Sequence, residues 1–115
     1  VDFLRKLFGP PVPGLSAEEA QARLKASPAP LLLDVREPEE YRHGHIPGAK
    51  LIPLGELSRR LNELPRNREI VCVCRSGNRS HSAARQLIQA GYTVYNLYGG
   101  MLAWANAGLP VKTAR

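Results

Sequence analysis

The chain has 115 residues, a net charge of +6 and two cysteines, Cys72 and Cys74. That length supports one domain with its own core, and a bridge between cysteines one residue apart would be strained, so a disulfide scaffold is excluded and a reduced, cytoplasmic setting is expected. The positive balance favours anionic partners, but the arginines are scattered and aromatics make up only 6%, which argues against nucleic acid; no stretch is long enough to span a bilayer.

The first eight residues place Phe3, Leu4, Leu7 and Phe8 at helical spacing around Arg5 and Lys6. They read as a short helix packed on the domain, with membrane contact not expected from so brief a segment. Gly9-Pro10-Pro11-Val12-Pro13-Gly14 is a linker by composition, so residues 1–14 form an N-terminal segment and 15–115 the domain. Ser16-Ala17-Glu18-Glu19 is a capping box that starts a helix ending before Ser27-Pro28. Leu31-Leu32-Leu33-Asp34-Val35-Arg36 opens as a buried parallel strand. A short helix follows with Pro38 in its first turn, then the loop Gly44-His45-Ile46-Pro47-Gly48 and a brief strand over 49–52. Leu54, Leu57, Leu61 and Leu64 share a helical face. Glu69 to Cys74 is the clearest strand. Ser80 to Ala90 reads as a helix capped by Ser80 and stopped by Gly91, with Ala83, Ala84, Leu87 and Ile88 on its buried face. Residues 92–97 make another strand, and Gly99-Gly100 leads into a last helix whose Met101, Leu102 and Trp104 are spaced for core packing. Strands alternating with helices predict an α/β fold, a roughly five-stranded parallel sheet with helices on both faces.

Cys74-Arg75-Ser76-Gly77-Asn78-Arg79-Ser80 carries the chemistry. The cysteine ends a strand at the carboxyl edge, where ligands bind open α/β sheets. A short glycine loop and a helix N-terminus follow, so successive N–H groups form a nest and the helix end adds positive potential. Arg79 can stand beside the sulfur. All of this favours thiolate over a thiol that ordinarily titrates near ~8.5. Cys72, between Val71 and Val73, reads instead as a packing residue.

This loop resembles the active-site loop of the rhodanese family of sulfurtransferases. Leu33-Asp34-Val35-Arg36-Glu37, Gly44-His45-Ile46-Pro47-Gly48-Ala49, and Tyr98-Gly99-Gly100 with Trp104 after it match the same family in the same order. The resemblance implies a rhodanese-like fold over residues 15–112. It also implies that Cys74 takes the outer sulfur of thiosulfate or a related anionic donor, holds it as a persulfide, and passes it to a thiol, a protein acceptor or, in the laboratory, cyanide. Arg75 and Arg79 become charge partners of the donor. The N–H groups of Ser76, Gly77, Asn78, Arg79 and Ser80 become the sulfur cradle. Four residues separate Cys74 from Arg79. Related phosphatases and arsenate reductases carry one more, which widens the ring for a tetrahedral oxyanion, so the shorter loop favours sulfur transfer. Pro10, Pro11 and Pro13 depart from the family where a first strand belongs, and leave it as short as Gly14 and Leu15.

Asp34 and Arg36 sit at the expected rim and read foremost as a structural ion pair, with a supporting role at the site as the alternative. His81 follows the cradle and either tunes the thiolate or is simply solvated. His43 and His45 lack metal-site spacing, so neither metal nor cofactor is expected. The rival readings are a protein-binding module on the same fold, which the intact cysteine argues against, and a phosphatase or arsenate reductase.

Overall fold

A computed structural model of the protein describes residues 11–113. The surface helix expected over residues 1–8 lies outside the described residues, as does the start of the linker.

Five strands form one sheet in the order β1-β5-β4-β2-β3: β1 (Gly14–Leu15), β2 (Leu31–Asp34), β3 (Lys50–Leu51), β4 (Ile70–Val73) and β5 (Val94–Leu97). Every pairing is parallel. Among the described residues four α-helices cover the sheet: α1 (Ala17–Lys25), α2 (Pro38–His43), α3 (Asn78–Gln89) and α4 (Gly100–Asn106). The expected fold class is therefore observed, including a first strand of only Gly14 and Leu15.

The apolar runs are continuous because both faces of the sheet are buried. Ile70, Cys72 and Cys74 point to one side with Ala83, Ala84 and Leu87 of α3. Val71 and Val73 point to the other with Ala17 and Ala20 of α1 and Trp104 of α4. The Ser16 hydroxyl accepts from the Glu19 N–H at 3.1 Å and the Glu19 carboxylate accepts from the Ser16 N–H at 2.8 Å, the reciprocal cap the sequence announces.

Four local expectations are corrected. Leu54 to Leu64 is not one helix but two 3-10 turns, Leu54–Arg59 and Leu61–Glu63. The chain breaks at Arg60, whose φ of −123° leaves helical space and whose guanidinium ties Glu56 to Glu63. Leu57 and Leu64 still reach the core. The strand predicted over Glu69–Cys74 is shorter by one residue at each end; at the carboxyl end the Cys74 carbonyl leaves the ladder to accept from the Met101 N–H of α4 at 2.8 Å. Leu102 is 50% exposed rather than packed, while Trp104 is buried and its indole N–H donates to the Pro110 carbonyl at 2.8 Å. Finally, α3 begins two residues early, and Gly77, not Ser80, is its N-cap.

Candidate active site

Gly77 has φ of +109°, a left-handed value open to glycine at little cost. That turn ends the loop and starts α3 at Asn78, which brings the first-turn amides of a twelve-residue helix beneath the end of β4. Cys74 Sγ receives the Gly77 N–H at 3.1 Å and the Ser80 hydroxyl at 3.3 Å. Ser80, expected in the cradle through its N–H, contributes its hydroxyl to the sulfur as well, instead of using it to cap the helix. Both residues are buried, Cys74 at 1% exposure.

Burial pushes the Cys74 thiol up, but the Ser80 hydroxyl and the N–H groups of Ser80, Gly77 and Ser76 outweigh it, and its pKa falls below the ordinary cysteine value. Cys72 is equally buried and has none of these donors; desolvation, with the neighbouring Cys74 charge, drives its pKa strongly up. The pKa values of two cysteines separated by one residue are thereby shifted in opposite directions.

The outward side of the loop is pinned by α4. The Cys74 and Arg75 carbonyls accept from Met101 and Leu102 N–H at 2.8 and 3.1 Å. With these carbonyls turned away, the loop presents N–H groups to the sulfur. So close an approach needs Gly100 (φ +58°): a Cβ there would lie 2.4 Å from the Cys74 oxygen and 2.6 Å from the Arg75 oxygen. The doubled glycine of the Tyr98-Gly99-Gly100 patch is what allows the helix to touch the loop.

Asp34 and Arg36 are buried and joined by several bonds, the shortest at 2.8 Å from Arg36 Nη2 to Asp34 Oδ2. Arg36 Nη2 also donates to the Gly44 carbonyl at 2.7 Å, so the pair fixes the loop after α2. Removing one partner would strand a buried charge, a loss of about 3–5 kcal/mol. His45 Nδ1–H donates to the Tyr41 carbonyl at 2.8 Å and its ring stacks on Tyr41 at 3.7 Å. Among the described residues no group of three or more His, Cys, Asp or Glu side chains is placed to hold a metal ion. His81 is exposed, beside a cavity of about 390 Å³ that Ser76, Gly77, Asn78, Asn96 and Tyr98 also line. Arg75 is exposed at the rim and has no carboxylate partner among the described residues. It borders a second cavity of about 390 Å³ with Arg36, Glu40, Met101 and Leu102. Among the described residues no helix is long and apolar enough to cross a membrane.

Arg79 does not stand free beside the sulfur. Its guanidinium grips Glu40 of α2 with two bonds, 2.8 and 2.9 Å. Glu40 also accepts from the Glu37 N–H at 3.0 Å. These contacts, the Arg79 hydrogen bonds foremost, hold the Glu40 carboxyl at about 2. A carboxylate depressed in the folded state contributes stability above its unfolded value near 4.5, and that stability is lost as pH falls toward about 2. Thermal unfolding should therefore show Glu40→Gln less stable than wild type at about pH 6, with the gap narrowing as the pH falls to about 3. A gap that stayed constant or widened on acidification would show that the pair does not contribute in this way.

Sequence reasoning missed Glu40 and Asn96. The signal for Asn96 was present: a lone amide in the otherwise apolar strand Val94-Tyr95-Asn96-Leu97 needs a partner when buried. For Glu40 the sequence offers only one acid among several in the first turn of α2.

A parallel α/β sheet that presents a cysteine of lowered pKa to backbone N–H groups is an arrangement suited to nucleophilic sulfur chemistry. The family model for the rhodanese-like domain matches residues 16–107, and the chain belongs to that family. It is 42% identical over 98 residues to a sulfurtransferase of Allochromatium vinosum, a match covering 84% of this chain and 92% of that protein. The structure is similar to a rhodanese-related protein from Thermoplasma volcanium, with TM-score 0.83 and 32% identity over 89% of this chain and 99% of the other. It is also similar to a thiosulfate sulfurtransferase from Pseudomonas aeruginosa, with TM-score 0.80 and 32% identity, covering 90% of this chain and 21% of that one.

Proposed function

We propose that the protein is a thiosulfate sulfurtransferase that carries sulfane sulfur as a persulfide on Cys74. The observation that carries this reading is the convergence of the Gly77 N–H and the Ser80 hydroxyl on Cys74 Sγ, while Cys72 receives neither. The Cys74 thiolate attacks the outer sulfur of thiosulfate, a new S–S bond forms, and the old one breaks with its electron pair leaving on sulfite. The terminal sulfur of the persulfide then carries the negative charge that the thiolate held, and the ring of amides from Ser76 to Ser80 is its counterpart. A thiophile, cyanide in the assay and a thiol or protein acceptor otherwise, attacks that sulfur and returns Cys74 as thiolate. No proton has to move in either half, so no general base is required.

Arg75 meets the doubly charged donor at the rim, since Glu40 already engages Arg79. The small ring and the 1% exposure of Cys74 suit a protruding sulfur atom better than a tetrahedral phosphoryl group. Thiocyanate formation from thiosulfate and cyanide tests the reading. Wild type should turn over, and Cys72→Ala should keep most of that rate because Cys72 only fills the core. A folded Cys72→Ala protein without activity would point to a two-cysteine relay instead.

A further inference from the structure

The Gly77 carbonyl, at the centre of the loop, is within reach of three donors. The His81 N–H lies at 3.0 Å, the Asn96 Nδ2 amide at 3.1 Å and the Ser80 hydroxyl at 3.2 Å. A carbonyl oxygen has two lone pairs. The Ser80 hydroxyl has one proton and a second acceptor, Cys74 Sγ at 3.3 Å. The count closes in one way only when the sulfur is charged: His81 and Asn96 satisfy the Gly77 oxygen, and Ser80 turns to the sulfur. Without Asn96 the carbonyl keeps one donor and competes with the sulfur for the serine proton.

Asn96 stands on β5 directly across the ladder from Cys72, two residues before the nucleophile. It is buried, and its Oδ1 finds no hydrogen-bond partner among the described residues. Turning the amide over would set oxygen against the Gly77 oxygen, so the donor must face the loop and the acceptor is left unpaired. A buried acceptor left unpaired is costly, and such a group in a folded protein calls for an explanation.

We propose that Asn96 is a positioning residue: by occupying the Gly77 carbonyl it frees the Ser80 hydroxyl to stabilise the charged sulfur of Cys74. This rests on Cys74 as the nucleophile and adds a residue outside the loop to its activation. The ionisable groups around the cradle are Arg79 with Glu40, Arg75, His81, Cys72, the Asp34–Arg36 pair and Tyr98, which follows β5 and lines the cavity beside Gly77 and Asn96. β5 itself brings only Tyr95, beneath the Arg23 guanidinium, and α4 brings none.

The test is the pH titration of the Cys74 thiolate by its ultraviolet absorbance, which needs no reagent to reach the buried sulfur. Asn96→Leu keeps roughly the shape, removes the donor, and also removes the unpaired oxygen. The variant should be as stable as wild type or more so, yet its thiolate midpoint should rise by about one pH unit, a tenfold loss of thiolate well below the midpoint. Ser80→Ala should raise the midpoint similarly, and adding Asn96→Leu to it should change little further. An unchanged midpoint in Asn96→Leu, or effects of the two substitutions that add in full, would overturn the proposal. A wild-type Cys74 that titrates like an ordinary thiol would instead remove the nucleophile on which it rests, so the two failures are told apart.

Discussion

Replacing Cys74 by alanine should abolish sulfur transfer and leave the fold standing. The side chain is small, sits just past the end of β4, and makes two polar contacts, with Gly77 and Ser80. Losing it removes one sulfur atom from the cluster beneath α3 and leaves a ring of amides that water can enter. The expected cost is about 1–2 kcal/mol, against a total stability of about 5–15 kcal/mol for a domain of this kind. Nothing else described in the loop can carry the sulfur: Ser80 is an un-ionised hydroxyl and Cys72 is buried with its pKa pushed up. Turnover should fall to background while circular dichroism still shows a cooperative melt. Turnover retained by the folded variant would remove Cys74 from the mechanism.

Gly100→Ala should be the most damaging glycine-to-alanine change among the described residues. The added Cβ would lie inside the contact distance of two carbonyl oxygens and the Arg75 carbonyl carbon, all backbone and none able to swing aside. The φ of +58° adds the left-handed cost for a residue with a side chain, about 1–2 kcal/mol. Relief requires α4 to move off the loop, which breaks the Met101 and Leu102 N–H bonds to the Cys74 and Arg75 carbonyls. Destabilisation of about 3 kcal/mol or more is expected, together with loss of transfer. Gly108→Ala is the matched control, since it has φ of +72° and open space around its Cβ, so it bears the backbone cost alone. Urea unfolding of the two variants compares them directly. Equal midpoints would mean that the contact between α4 and the loop is not what Gly100 provides.

The parallel sheet was legible because β2 and β4 are buried on both faces and so read as unbroken apolar runs ending in polar loops. The cradle was legible because a strand end, a glycine and a helix start fall within seven residues. The cap was not, because Ser80 has the composition of a cap while Gly77 has the backbone conformation of one, and only the turn angle decides between them. The Arg79–Glu40 pair was hidden for a different reason: its partners lie 39 residues apart, and nothing in either local pattern ties α2 to α3. The break at Arg60 likewise follows from tertiary fit, since the leucine spacing alone suits a helix and is met equally by two short turns.

The most direct test of the account is the intact mass of the reduced protein after thiosulfate, followed by peptide mapping and a second measurement after cyanide. One added sulfur on Cys74, absent from Cys72 and removed by cyanide, is the predicted result. Folded, reduced protein that gains no sulfur, or gains it on Cys72, would contradict the Cys74 persulfide and the thiosulfate reaction built on it.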